Sequence, residues 1–158
     1  MAATIGSKGV FTISLDFELI WGTLDRHGQK FRHLCEIERF FVIERLLSLF
    51  AEFDISATWC TVGHLFLKNC RASSDTRHPE IARPSCETGK EGQFSHDPCS
   101  TEEADPLFYG RTLVEKILAC RVWQEIGCHS FSHVIFSDAG CTRAVAESEL
   151  QACLHAAG

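Results

Sequence analysis

The chain has 158 residues, 45% of them hydrophobic, which suits one compact domain with a true core and excludes a disordered chain. Fifteen Lys and Arg against 21 Asp and Glu leave a net charge of -6. With no basic stripe to neutralise phosphates, nucleic acid and anionic membrane surfaces are excluded as expected partners, and a neutral substrate fits better. No apolar signal segment precedes Gly9, and the most apolar stretch, around Phe40 to Phe50, is broken by Glu44 and Arg45. The expectation is a soluble cytoplasmic protein, with residues 1–9 as a flexible tail and one domain over 10–158.

In chain order, Phe11 to Leu19 alternates strictly, with Phe11, Ile13, Leu15, Phe17 and Leu19 on one face and Thr12, Ser14, Asp16 and Glu18 on the other. This predicts a strand on which Asp16 and Glu18 point the same way, their α-carbons roughly 6.6 Å apart at ~3.3 Å per residue. One carboxylate can then hold a metal while the other handles a proton. Ile37, Phe40, Phe41, Leu47 and Phe50 recur at helical spacing and predict a helix over about Glu36 to Phe53. Ile55 to Val62 reads as a buried strand ending at Gly63, with a brief helix possible from His64 to Lys68. From Asn69 to Tyr109, four prolines, two glycines and mixed charge predict a long loop without periodicity, a lid or substrate wall.

Thr112 and Glu115 have the spacing of a capping box before a helix that runs to about Arg121. Glu125 to Cys128 reads as a short strand, and Ala146, Leu150, Cys153, Leu154 and Ala157 mark a final amphipathic helix. This alternation of strand and helix predicts an α/β fold with a parallel sheet, open or barrel-like, whose functional residues gather at the carboxyl ends of strands.

His129-Ser130-Phe131-Ser132-His133 follows the last strand. Histidines four apart on a helical turn bring their β-carbons within ~5–6 Å, the spacing by which a His-Glu-x-x-His motif grips zinc. Two histidines alone are as readily surface or core residues, but two carboxylates on a strand face also call for a cation. The bland alternative leaves Asp16 and Glu18 solvated at a strand end. His27, His33, His78 and His96 fall in polar loops with no expected role, and His64 fits core, surface or pocket equally. Trp21 and Trp59 could form a sugar platform or simply pack. The nine cysteines include no Cys-x-x-Cys pair, so neither a disulfide framework nor a zinc ribbon is expected. Cys60, Cys120 and Cys128 read as reduced core residues, whereas Cys70, Cys86 and Cys99, in a polar stretch, could be reactive but have no paired base nearby to activate them.

These motifs resemble those of the polysaccharide deacetylase (NodB-homology) family, metal-dependent hydrolases on a distorted β/α barrel that deacetylate N- or O-acetylated sugars. Ser14-Leu15-Asp16-Phe17-Glu18 is similar to the family's first motif in its Asp-x-Glu branch, and His129-Ser130-Phe131-Ser132-His133 to the second, His-Ser/Thr-x-x-His. Ala57-Thr58-Trp59 resembles the second barrel strand, and Glu125-Ile126-Gly127 the strand leading into the histidines. The resemblance implies Asp16 as general base and Glu18, His129 and His133 as ligands of one divalent ion, with the two acidic roles open to exchange. Two His and one carboxylate suit zinc and also non-haem iron. A carbohydrate is the implied substrate. The family's Arg-containing motif, Asp-Trp-like motif and late histidine have no counterpart up to Gly158, so the expectation is the N-terminal part of such a domain, weakly active and open to self-association along its uncovered edge. The rival readings are a non-catalytic metal- or sugar-binding fragment and an iron oxygenase.

Overall fold

The computed structural model describes residues 9–26, 28–73, 76–85, 92–137 and 139–158. The expected N-terminal tail, apart from Gly9, lies outside them, as do His27 and Cys86. Three short strands, β1 (Ser14–Phe17), β2 (Thr58–Thr61) and β3 (Glu125–Cys128), form one parallel sheet in the order β1-β2-β3. Asp16, Cys60 and Gly127 share one row across it. The α/β expectation holds at this level.

Side-chain alternation gives the sheet two unlike faces. Phe17 and Trp59 are buried on one, edge to face at 6.2 Å, and Phe50 packs on Trp59 at the same separation. On the other, Ser14, Asp16 and Glu125 are exposed and Thr58, Cys60 and Gly127 half-buried. Ser14 and Cys60 touch there at 3.3 Å, and the Thr58 hydroxyl donates to Glu125. Parallel sheets usually bury both faces, so this open polar face sets the sheet apart.

β1 is shorter than its alternation predicts: Val10 and Phe11 are exposed, and Leu19 takes φ 46° and starts a 3-10 segment, Leu19–Arg26. The predicted helix begins earlier than Glu36, as α1 (Gly28–Ile37), and passes through one π turn, Glu38–Val42, into α2 (Ile43–Phe53). The turn carries the buried Arg39, whose guanidinium donates to the Tyr109 carbonyl at 2.9 Å and pairs with Glu102 at 2.8 Å. Asp54, in the left-handed conformation, ends α2. After β2 a 3-10 turn, Gly63–Phe66, replaces the brief helix of the sequence reading.

The segment from Asn69 to Tyr109, expected as a long loop, carries little regular structure in its described part but is packed into the core. Its described part holds a 3-10 turn, Gly92–His96, and gives Ile81, Phe94, Leu107, Phe108 and Tyr109 to the core. The capping box is also absent. α3 (Arg111–Leu118) starts after Gly110, which places Thr112 inside it. There the Thr112 backbone N–H and hydroxyl donate to Glu102, while Glu115 pairs with Arg111. A carboxylate from the preceding loop has displaced the local cap.

α4 (Arg143–Ala157) is capped by the Thr142 hydroxyl and buries Val145, Glu149 and Cys153. Leu150 and Leu154, expected on the buried side, are exposed. Among the described residues no helix is long and apolar enough to cross a membrane.

Candidate metal centre

Glu18 lies one residue past β1, and His129 one residue past β3, where both backbones leave the sheet. The chain from Ser130 to His133 is an irregular bend rather than the expected helical turn, with Ser130 at φ 56° and His133 at φ 62°. Left-handed backbone costs a non-glycine residue roughly 1–2 kcal/mol, and three such residues, Leu19, Ser130 and His133, adjoin or belong to this one site.

The bend brings the imidazole rings to 5.2 Å between centroids and faces both toward the Glu18 carboxylate. His133 Nε2 is 2.8 Å and His129 Nε2 3.5 Å from Glu18 Oε2. The hydrogen bond to His133 holds the Glu18 carboxyl below its usual range, opposed by partial burial and helped by the charges of both histidines. All three side chains are half-buried, so the donor atoms meet one another and still reach solvent. A cleft of about 290 Å³, lined by His129, His133, Ile135, Phe136 and Leu150, opens beside them.

Gly22 makes room for this arrangement. A β-carbon there would lie 2.1 Å from Glu18 Cδ and 2.2 Å from Oε1, so the carboxylate occupies space that any side chain would take.

The bend itself is held by residues that no motif spacing announces. Glu149, fully buried on α4, accepts from the backbone N–H groups of Phe131 and Ser132, both at 2.8 Å, and from the Ser132 hydroxyl at 2.7 Å. From below, the Gly63 N–H donates to the Ser130 carbonyl at 2.7 Å and the His64 N–H to the Phe131 carbonyl at 2.9 Å. A β-carbon on Gly63 would press on Phe131 and Cys153 at 2.9–3.0 Å. Glu38, on the π turn, also feels the site: burial and then the Glu18 charge push its carboxyl up to about 7.

Of the sequence-derived site residues, the structure joins Glu18, His129 and His133 and leaves Asp16 outside the donor set, exposed on the open sheet face. Trp21 and Trp59 offer no sugar platform. Both are buried, with their indole N–H groups donating to the Phe108 carbonyl and to Gln124. The cysteine assignments also change: Cys128 is exposed and Cys60 and Cys120 half-buried, whereas Cys35 and Cys153 are the buried ones. His78, expected to do nothing, is buried beside Asp97 at 3.0 Å. With His64, Cys70 and Asp97 it makes the second of two clusters among the described residues that could hold a metal ion. Comparison of the chain with protein-family models, curated proteins and solved structures finds no match.

Proposed function

We propose that Glu18, His129 and His133 hold one divalent ion, zinc in the first instance, in the hydrolytic centre of a polysaccharide deacetylase-like domain. The convergence of the three donor atoms on the space kept clear by Gly22 is the observation that carries the reading. Three protein ligands reaching solvent leave coordination positions for water and substrate, the pattern of catalytic rather than structural zinc. The parallel sheet, read as part of a β/α barrel, supplies two of the ligands just past its carboxyl ends, and its open polar face corresponds to a barrel interior.

A divalent ion bound there supplies Lewis acidity toward an acetyl carbonyl and toward the attacking water. Asp16, outside the donor set, takes the proton of that water as general base. Glu18 contributes negative charge and orientation, and the Glu149-braced bend fixes the two imidazoles. The substrate class is an N- or O-acetylated carbohydrate, in keeping with the net charge of -6 and the neutral groups a sugar presents.

The test combines elemental analysis, calorimetric metal titration and acetate release from N-acetylated oligosaccharides. The variant with His129→Ala and His133→Ala loses the ion from this centre and any acetate release. Asp16→Asn keeps the ion and loses acetate release. Unchanged metal affinity at this centre in the double variant would sink the reading, and loss of the ion in Asp16→Asn would exchange the roles of Asp16 and Glu18.

A further inference from the structure

The second cluster is built from three stretches of chain: His64 in the 3-10 turn after β2, Cys70 and His78 beyond it, and Asp97 after the Gly92–His96 turn. His64 and Asp97 have fully buried side chains, and His78 is 9% exposed. A single oxygen, Asp97 Oδ2, lies 3.2 Å from His64 Nε2, 3.0 Å from His78 Nε2 and 3.3 Å from Cys70 Sγ. All four donor atoms fall within 4.8 Å of one another. Zinc bonds of ~2.0–2.3 Å to tetrahedral N, O and S ligands put those atoms ~3.3–3.6 Å apart, so the cluster already has nearly the dimensions of a coordination shell.

The outward-facing atoms determine which way the lone pairs point. His64 Nδ1 is 2.9 Å from the Phe108 carbonyl, which can only accept, so Nδ1 carries the hydrogen and the neutral ring presents the Nε2 lone pair to Asp97. His78 also turns Nε2 toward Asp97, with its Nδ1 on the far side 3.5 Å from the Glu80 carboxylate. The other Asp97 oxygen, Oδ1, accepts from the Cys99 N–H at 2.9 Å and the Tyr109 hydroxyl at 3.2 Å. The Ser100 N–H in turn donates to that hydroxyl at 2.8 Å. Outer hydrogen bonds of this kind orient the ligands of metal sites.

Two chemistries satisfy such an arrangement. Protons on both rings would put two imidazolium ions, 5.1 Å apart between centroids, against one carboxylate in the interior, with net positive charge and with the Cys70 thiol a third donor to the same Asp97 oxygen. One divalent ion with a carboxylate, a thiolate and two neutral imidazoles sums to zero, the combination a buried site tolerates best.

We propose that His64, Cys70, His78 and Asp97 form a second, structural metal centre for an ion of the zinc class, separate from Glu18, His129 and His133. The four-ligand set is closed to substrate, and its thiolate selects a softer ion than an all-oxygen site would. Cys70 and His78 also line a cleft of about 430 Å³, a route by which the ion reaches the interior. The centre staples the residues around Cys70, His78 and Asp97 to the turn after β2, which accounts for their burial within a stretch of loop-like composition. Its rings pack on Phe131, at 5.6 Å from His64 and 5.2 Å from His78, within the catalytic-type bend.

Cobalt(II) loading of the full chain tests this, because a thiolate–cobalt charge-transfer absorption marks this centre and cannot come from the N- and O-liganded first one. The variant with His129→Ala and His133→Ala should retain one cobalt per chain and the full absorption, and X-ray absorption should find about one sulfur per ion. Cys70→Ser should lose the absorption, and Cys99→Ser, whose thiol is 3.7 Å from Asp97 Oδ2, should keep it. If Cys70→Ser does not fold, the double-histidine variant still decides. The proposal is overturned if that variant binds no ion or an ion without sulfur, or if the absorption survives Cys70→Ser.

Discussion

Replacing Glu149 asks how much of the candidate centre is held from behind. In Glu149→Ala the two backbone N–H groups of Phe131 and Ser132 and the Ser132 hydroxyl lose their shared acceptor in the interior. Each buried N–H left without a partner costs ~1–3 kcal/mol, so the pair alone predicts about 4 kcal/mol, with the hydroxyl free to turn elsewhere. Glu149→Gln is milder. Its amide oxygen can accept from both N–H groups and its NH₂ can donate to the Ser132 oxygen, so only the charge assistance goes, about 1–2 kcal/mol. Because His129 and His133 flank these residues, metal affinity at the Glu18 centre should fall about 10–100-fold in the alanine variant and less in the glutamine variant. Urea melts and calorimetric titration measure the two effects, and the glutamine variant remains readable if the alanine one unfolds. Stability within ~0.5 kcal/mol of the parent in both variants, with unchanged metal affinity, would refute the bracing role.

Gly22→Ala places a methyl where the Glu18 carboxyl now lies and should weaken the metal at that centre by about tenfold or more, read by titration, while leaving the His64 cluster loaded. Glu38 has a folded pKa of about 7, above its ordinary 4.5, so its stabilising contribution is intact below about 4.5 and lost as pH rises through about 7. In the metal-free chain Glu38→Gln should therefore gain up to about 3 kcal/mol over the parent at pH 8 and nothing at pH 4, in paired denaturant melts; a constant difference would refute it. Exposed Phe11, Phe41, Phe53, Trp123 and Leu154 favour self-association, and light scattering across concentrations should show it; a monomer throughout would count against that expectation.

What the sequence made legible was local. Glu125 to Cys128 is a strand to the residue, because its short run sits between a buried Gln124 and the Ser130–His133 bend. Glu18, His129 and His133 were readable because candidate donors clustered just past strand ends leave a motif. Glu149 was hidden: it serves residues 17 and 18 positions away, and a lone Glu in an amphipathic helix reads as solvated surface. His78 and Asp97 were hidden for the same reason, since Asp97 meets His64 across 33 residues of loop-like composition. The capping box misled because Thr112 and Glu115 have the right spacing, yet Glu102 reaches Thr112 through tertiary contact. Trp21 and Trp59 misled because a tryptophan beside a strand looks the same in sequence whether it faces a ligand or the core.

The hydrogen bonds around the Ser130–His133 bend also have a kinetic meaning. The Phe131 and Ser132 amides end on a carboxylate of α4, and the Gly63 and His64 amides end on carbonyls of the bend. None of these protons can reach water while the three pieces stay docked, so they should exchange with solvent together, as one opening unit. Gly63 lies where the three pieces meet, and a β-carbon there would press on Phe131 and Cys153 at 2.9–3.0 Å. The lifetime of the bend is then set by how often α4 lifts from the turn after β2, a motion of the scaffold rather than of the histidines themselves.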